Sequence, residues 1–424
     1  MRIVHVLSNF FPTTTGGTEH YVLALIKGLA QLGVSSAVAV PSERNEEDRL
    51  VDHLTVFSFN RDFSDKLKRW KADIVHFHEF SSGGRIGDEH VKEVRDLGMH
   101  AVVSPHVCGN SCFTGTMYQN NRRPCSGIMD RRTCTFCFQQ TKRPGATTAL
   151  LSYVSEWVYQ SGYTINAKGS RLGTAMNSAA QIQQYHDRFR KVVEYSHAVV
   201  GISSWYTDVL KRNFPDAQHI LYIPTGKMNM VKGADSHTSV GGKLSIAFIG
   251  RITPIKGLHL LLEALSDFPS DAYVLKIVGE AQPYDREYDD TLKSTYSKHP
   301  NVFWLNGMSH KDAMKVLADS DVLCLPSVVA EMSPLVIDEA HALGKSVLAS
   351  DVQGSKEKIT EGENGWLFQR GNGADLKRKI NSLIDLHQRG AVGCSSVSSH
   401  SFDDTVQQYH QLYTKILNAH PVDC

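Results

Sequence analysis

Two carboxylates stand eight residues apart in "EMSPLVIDEA", Glu331 before a Ser-Pro pair and Glu339 inside an apolar run. Ser333 suits a helix N-cap and Pro334 the first helical position. A helix starting there aims free N–H groups and a partial positive charge at whatever lies before it. Such a site takes an anion, most simply a diphosphate. The carboxylates repel phosphate, so their partners must be hydroxyls. One ligand with a diphosphate and sugar hydroxyls satisfies both demands. The plainer alternative is a first-turn acid plus an exposed helix Glu.

"GRITPIKG" (250–257) adds cations. Gly250 and Arg251 end a strand-like run, and Lys256 precedes a helix-like one. Both basic side chains suit an anion at a strand end. The Gly-Lys-Ser/Thr order of a P-loop is absent. In isolation the stretch also reads as a basic loop. "TTTGGTE" (13–19) joins the first strand to the first helix, and Gly16 and Gly17 let backbone approach a ligand closely. It lacks G-x-G-x-x-G, and a plain turn is the simpler reading. His106 in "AVVSPH" and His78 in "DIVHFHEF" end strands, where a lone His is more often packed than functional. Asp289-Asp290 reads as a solvated face, and no Asp-x-Asp metal site follows a strand.

Five of eight cysteines crowd between 108 and 137. Cys112, Cys125, Cys134 and Cys137 are spaced x12, x8 and x2, which suits a closed tetrahedral zinc site with Cys108 as an alternative ligand. Ordinary reduced thiols or an iron–sulfur cluster are the competing readings. The expected role is structural, pinning a loop. Arg122-Arg123, Arg131-Arg132 and the apolar "ALLSYVSEWVY" (149–159) fit contact with an anionic membrane or a lipid-linked acceptor. They fit a basic solvated loop and a core helix equally well.

The elements that must position these groups alternate. Strand-like runs fall at 2–7, 36–40, 73–77, 101–104, 198–202 and 221–224, then at 243–251, 272–279, 302–305, 321–325 and 345–350. Helical periodicity fills the gaps, as at 257–268, 311–318 and 402–417. Alternation of this kind predicts α/β architecture with parallel sheets covered on both faces. The 424 residues exceed one ordinary core. The expectation is two doubly wound Rossmann-like domains, 1–222 (with a Cys-rich insert at about 107–145) and 223–400. The 401–424 helix would pack back on the first domain. Ligands sit beyond the carboxyl ends of such strands, so the crevice between the domains is the expected site. A net charge of +1 argues against nucleic acid. The first apolar run is short for a signal peptide, and no stretch approaches ~18 apolar residues, so a cytoplasmic protein, peripheral on a membrane at most, is expected.

Taken in order, the Gly-Gly loop, the strand-end His106, "GRITPIKG", Glu-x7-Glu and "LGKSVLASDVQG" resemble the family 4 retaining glycosyltransferases of the GT-B fold. The resemblance covers nearly the whole chain. It implies transfer of a sugar from a nucleotide-diphosphate sugar to a glycan or lipid-linked acceptor, in surface polysaccharide biosynthesis. By resemblance, Arg251 and Lys256 hold the donor diphosphate, Glu331 the donor sugar and Glu339 the ribose. Amides near Ser333, Pro334 and Leu335 cover the phosphate, although Pro334 has no N–H. The Gly16–Gly17 loop approaches the donor, and His106 lies near the transferred sugar. The base lies near Gly279, Glu280, Asn306, Gly307 and Met308. No catalytic metal is expected. The chain departs from the family pattern at Met332-Ser333 (often Phe-Gly), His106-Val107 (often His-Asp) and "PTG" at 224–226 (often Pro-Asn-Gly). A same-fold nucleotide-sugar epimerase, or a zinc-bearing nucleic-acid module, are the alternatives.

Overall fold

The computed structural model describes residues 1–11, 16–43, 47–80, 85–145, 147–163, 170–227, 242–394 and 400–419. The chain divides into two compact units, Met1–Pro224 with Thr405–Cys424, and Thr225–Asp404.

The first unit contains β1 (Arg2–Val6), β2 (Ser35–Pro41), β3 (Arg49–Val51), β4 (Leu54–Phe59), β5 (Ile74–Phe77), β6 (His100–Val103), a small hairpin of β7 (Tyr118–Gln119) and β8 (Arg123–Pro124), β9 (Ala198–Gly201) and β10 (Ile220–Tyr222). Eight of these form one sheet in the order β10-β9-β6-β5-β1-β2-β4-β3. Every pairing in it is parallel except β3 with β4. β-Branched and apolar residues dominate these strands because both faces are covered. Ile3, Val4, Val75 and Val102 are fully buried.

Register decides which polar residues meet. His5 lies opposite His76, and His76 opposite Val102. His78 and Ser104 follow two residues on, so they share that face of the sheet. The helix Phe402–Asn418 covers it: Tyr413 bonds His76 Nδ1 through its hydroxyl at 2.7 Å, and Tyr409 reaches Ser104 Oγ at 3.0 Å. A Cβ on Gly28, in the helix Gly17–Gln31, would lie 2.6 Å from a Val406 methyl, so the two helices touch through a residue with no side chain.

Between β6 and β9 the chain is mostly helical: Arg131–Lys142, Thr147–Gln160, Arg171–Met176 and Ser178–Tyr195. The first is capped by Asp130, whose carboxylate accepts the Thr133 N–H. Buried Gln139 ties it to the last two helices, donating to Ala175 O in Arg171–Met176 and to Ser178 Oγ in Ser178–Tyr195, both at 2.9 Å.

The second unit is a six-stranded sheet of β11 (Leu244–Ile249), β12 (Tyr273–Val278), β13 (Val302–Leu305), β14 (Val322–Leu325), β15 (Ser346–Ser350) and β16 (Gly365–Phe368). The order is β13-β12-β11-β14-β15-β16, with all pairs parallel. One face packs Leu258, Leu261, Leu262, Leu376, Ile380 and Leu383 from helices Leu258–Leu265 and Gly373–Gln388. The other packs Met314, Leu317, Ile337 and Ala340 from His310–Ala318 and Leu335–Ala342. The expected 257–268 helix ends at Leu265, where Ser266 closes it.

Tyr413→Phe tests the docking of the last helix. It leaves buried His76 Nδ1 without its partner, at an expected cost of ~1–3 kcal/mol. Urea unfolding should show a lower midpoint at an unchanged slope. An unchanged midpoint would show that the hydroxyl contributes nothing to docking.

Candidate active site

Because the second sheet is wholly parallel, the residues after each strand emerge at one edge. Gly250 and Arg251 follow β11, Gly279 and Glu280 follow β12, Asn306, Gly307 and Met308 follow β13, and the loop to Glu331 follows β14. β11 and β14 are neighbours, and the strand order reverses between them. That is the switch point where open sheets leave a crevice for ligands.

Lys256 closes the single turn Pro254–Lys256, and Gly257 then adopts φ +73° to start the next helix. Lys256 Nζ donates to both oxygens of Glu331, at 2.7 and 3.0 Å, and Ser327 donates its hydroxyl to Oε1. The Lys256 and Glu331 side chains are 19% and 13% exposed. Burial alone would push the Glu331 carboxyl up. Lys256, by charge and hydrogen bond, with Ser327 and the Arg251 charge, outweighs burial and holds it below its ordinary value. The Glu331 backbone is fixed as well, since its N–H donates to Gln353 O at 2.9 Å. Its carbonyl lies against Gly354, where a Cβ would come within 2.0 Å and φ is +83°. Only glycine fits there. Arg251 is exposed and, among the described residues, makes no ion pair. The two expected diphosphate cations therefore differ: Lys256 is joined to Glu331, and Arg251 is open.

The helix start differs from the sequence reading. Ser333 is not the N-cap. Pro334 occupies that position and Leu335 is the first helical residue. The Ser333 hydroxyl instead meets Thr225 Oγ1 at 2.9 Å. Lys358 pairs with Asp338 in the first turn and reaches Thr225 Oγ1 at 3.4 Å. Glu339, the fifth residue of this helix, is buried and bonded to His310 Nε2 at 2.7 Å. Further along the edge, Glu280 and Gly307 are neighbours: a Cβ on Gly307 would lie 3.6 Å from the Glu280 carboxylate. Asn306, Gly307 and Met308 are exposed beside it.

In the first unit, the Gly16 N–H is already engaged, donating to Glu19 Oε2 at 2.9 Å. Gly17 is exposed as the first residue of its helix, and residues 12–15 of that loop lie outside the described residues. His106 ends a chain of imidazoles. His5 Nδ1 meets His78 Nε2 at 3.0 Å, and His78 Nδ1 meets His106 Nε2 at 3.2 Å. Burial pushes His5 and His106 down to about 3 and His78 well below its ordinary value, so the chain is neutral at physiological pH. His5 Nε2 is buried with no partner. An unmet acceptor is more tolerable than an unmet N–H. The protons therefore sit on Nδ1 of His5 and His78, and His106 carries its own on Nδ1. His5, His76 and His78 offer ring nitrogens within 4.8 Å of one another, a metal-like spacing. All but His5 Nε2 are taken by hydrogen bonds, as His76 also bonds Ser104 Oγ at 2.8 Å.

The cysteines converge without closing to that spacing. Cys134 and Cys137 lie one helical turn apart, and Cys125 follows β8. Burial first, then the Cys112, Cys125 and Cys137 thiols, push the Cys134 thiol up to about 12. Backbone N–H groups are aimed at sulfur: Asn120 at Cys137 (3.2 Å) and Gly127 at Cys125 (3.4 Å). Cys112 Sγ meets Thr114 Oγ1 at 3.3 Å, and Cys108 is buried. Beside this insert, Phe80, Asp88, Asn110, Phe113, Tyr185 and Arg188 help to line a cavity of about 320 Å³. Asn110 Nδ2 is buried there without a partner.

Residues 234–390 match the family model described as Glycosyl transferases group 1. That segment is a group 1 glycosyl transferase domain. Among curated relatives, lipopolysaccharide 1,2-N-acetylglucosaminetransferase of Salmonella typhimurium is 23% identical over 255 residues, 55% of this chain and 66% of its own length. For three further relatives the chain spans only 43–65% of their length. Sucrose-phosphate synthase from Thermosynechococcus elongatus superposes with a TM-score of 0.64 at 15% identity, over 99% of this chain and 100% of that one. Anabaena HepE in complex with UDP-glucose gives 0.58 at 14% identity, over 98% and 97%. The fold is accordingly GT-B, with two Rossmann-like units.

Within the second unit, sequence reasoning missed Ser327, His310, Lys358 and Thr225. "PTG" marked Thr225 only as a departure from pattern. The other three sit in no local motif, and their roles come from partners 4, 29 and 20 residues away. The His310–Glu339 bond has a pH signature. That bond raises the His310 pKa above its ordinary 6.5, against the opposing effect of burial. A raised folded pKa stabilises fully below the unfolded value and is lost as pH rises through the folded one. His310 should titrate above 6.5 by NMR and fall back in Glu339→Gln. The stability gap between wild type and His310→Gln should shrink from pH 6 toward pH 8.5. A gap that widened with pH would contradict the assignment.

Proposed function

We propose that this protein is a retaining glycosyltransferase that moves a sugar from a nucleotide-diphosphate sugar to a glycan or lipid-linked acceptor in surface polysaccharide biosynthesis. The observation that carries the reading is the Lys256–Glu331 pair beside open Arg251, at the switch point of the glycosyl transferase domain. The UDP-glucose named for HepE and the lipopolysaccharide named for the Salmonella transferase support the donor and acceptor classes.

In this reading Arg251 and Lys256 bind the diphosphate, and their charge stabilises what develops on it as the bond to the sugar breaks. Glu331, held ionised, accepts hydroxyls of the donor sugar. Glu339 does the same for the ribose, with His310 holding its second oxygen away. The Leu335 amide lies at the phosphate, while Pro334 has no N–H to give. Glu280, Gly279, Asn306, Gly307 and Met308 bound the base. Neutral His106, its donor on Nδ1, bonds the transferred sugar, and the Gly16–Gly17 turn approaches the donor. The acceptor hydroxyl comes from the side of the first unit. These cations do the work that a divalent ion would do elsewhere. The place of action in this reading is the cytoplasm, with contact at the inner face of a membrane peripheral at most.

Donor-dependent release of nucleoside diphosphate tests this. Arg251→Ala or Lys256→Ala should cost ~2–4 kcal/mol of transition-state stabilisation, a rate loss of about 10²–10³. NMR of the first-formed product reports its anomeric configuration. Near wild-type turnover in the double variant would sink the donor clamp.

Cys112, Cys125, Cys134 and Cys137 fit one structural zinc. Two ligands come from one helical turn, two from loops, and two sulfurs already accept backbone N–H bonds, as metal-bound thiolates do. The ion would draw the four together and hold residues 108–145. Elemental analysis should find one zinc per chain, lost in Cys134→Ser/Cys137→Ser, with faster amide exchange across that segment first. Folded, active protein free of zinc and iron after chelator-free purification would show these to be ordinary thiols.

A further inference from the structure

The helix Thr147–Gln160 is built inside out. Its buried residues are Thr148, Ser152, Ser155 and Val158. Its large side chains face water: Leu150 is 64% exposed, Tyr153 72% and Trp157 58%. At 3.6 residues per turn these three fall within about 60° of arc, on the side away from the buried set.

The small buried hydroxyls are satisfied without the ridge. Thr148 Oγ1 donates to Arg143 O at 2.7 Å and Ser152 Oγ to Thr148 O at 2.8 Å, while Ser155 Oγ accepts the Ala179 N–H at 2.9 Å. Packing of this helix therefore does not require Leu150, Tyr153 or Trp157. The helix carries one charged residue, Glu156, and it is turned inward against Arg131, with three contacts of 3.0–3.1 Å. The ridge thus presents no acid. Cations stand on the adjoining helix: Arg132, 73% exposed, comes within 3.9 Å of Glu156, and Lys142 is exposed near the other end. A Leu-Tyr-Trp ridge without acidic residues, served by neighbouring cations, has the chemistry of an interfacial helix.

We propose that Thr147–Gln160 docks this protein flat on an anionic lipid bilayer, with Leu150, Tyr153 and Trp157 entering the headgroup region and Arg132 and Lys142 facing lipid phosphates. This rests on the reading of a lipid-linked acceptor and names the face that would meet it. Among the described residues no helix is long and apolar enough to cross a membrane, so contact would be peripheral.

The test measures binding alone, with the full chain and neither donor nor acceptor. Wild type should float with vesicles of phosphatidylcholine and phosphatidylglycerol, and far less with phosphatidylcholine alone. Leu150→Ser/Tyr153→Ser/Trp157→Ser should weaken flotation at least about tenfold. Arg132→Ala/Lys142→Ala should lose most of the preference for the anionic mixture. The difference in tryptophan emission between wild type and Trp157→Phe should shift to the blue on those vesicles. That spectrum decides the matter if the triple variant fails to fold. Absence of flotation, undiminished flotation of a folded triple variant, or an unshifted difference spectrum each overturns the proposal. So does a dimer that the triple variant makes monomeric, which would make a second copy the occupant. Nucleoside diphosphate release tests the transferase reading separately, and failure here would leave it standing.

Discussion

An ammonium and a carboxylate largely hidden from water, Lys256 and Glu331, set the terms for the rest of the transferase domain. Removing either would leave the other charged where solvent cannot compensate, so each fixes its partner's place and ionisation. Their joining requires β11 and β14 to be neighbours, a left-handed glycine before the helix at 258 and a second glycine, Gly354, under the Glu331 carbonyl. Sheet order and two residues without side chains thus serve one ion pair. On the proposed reading, a diphosphate at this edge would offer Lys256 a richer set of oxygens and free Glu331 for hydroxyls. Exchange of partners at one cation would then link anchoring of the phosphate to exposure of the sugar contact.

The broad fold was legible because parallel, doubly covered strands are long apolar runs separated by helical periods. β16 and the edge pair β3 and β4 were not read, being short or only partly apolar. Near the proposed site, strand-end placement picked out Arg251, since the end of a strand is visible in the chain itself, whereas Glu280 and Met308 were named through the family resemblance. The Lys256–Glu331 pair was not legible, because it spans 75 residues and depends on sheet order. Ser333 was misassigned for a local reason. Ser-Pro is a favourable helix start, but a nearby Thr225 offered its hydroxyl a better partner.

The histidines teach the same lesson from the other unit. His78 and His106 were noticed singly, as strand-end residues. Their significance is collective and arises from register, which stacks His5, His76 and His78 on one face. Burial without counter-ions keeps all of them neutral, so the row acts through hydrogen-bond direction rather than charge. A proton assignment at buried His5 thereby dictates which nitrogen His106 presents, two rings away.

From Thr405 on, the helix Phe402–Asn418 belongs with the first unit although the whole transferase domain is made before it. During synthesis the second unit can close on itself as soon as its last strand and helix emerge. The first unit, begun earlier, waits with His76 and Ser104 uncovered until Tyr409 and Tyr413 arrive. The portion made first is therefore the portion completed last.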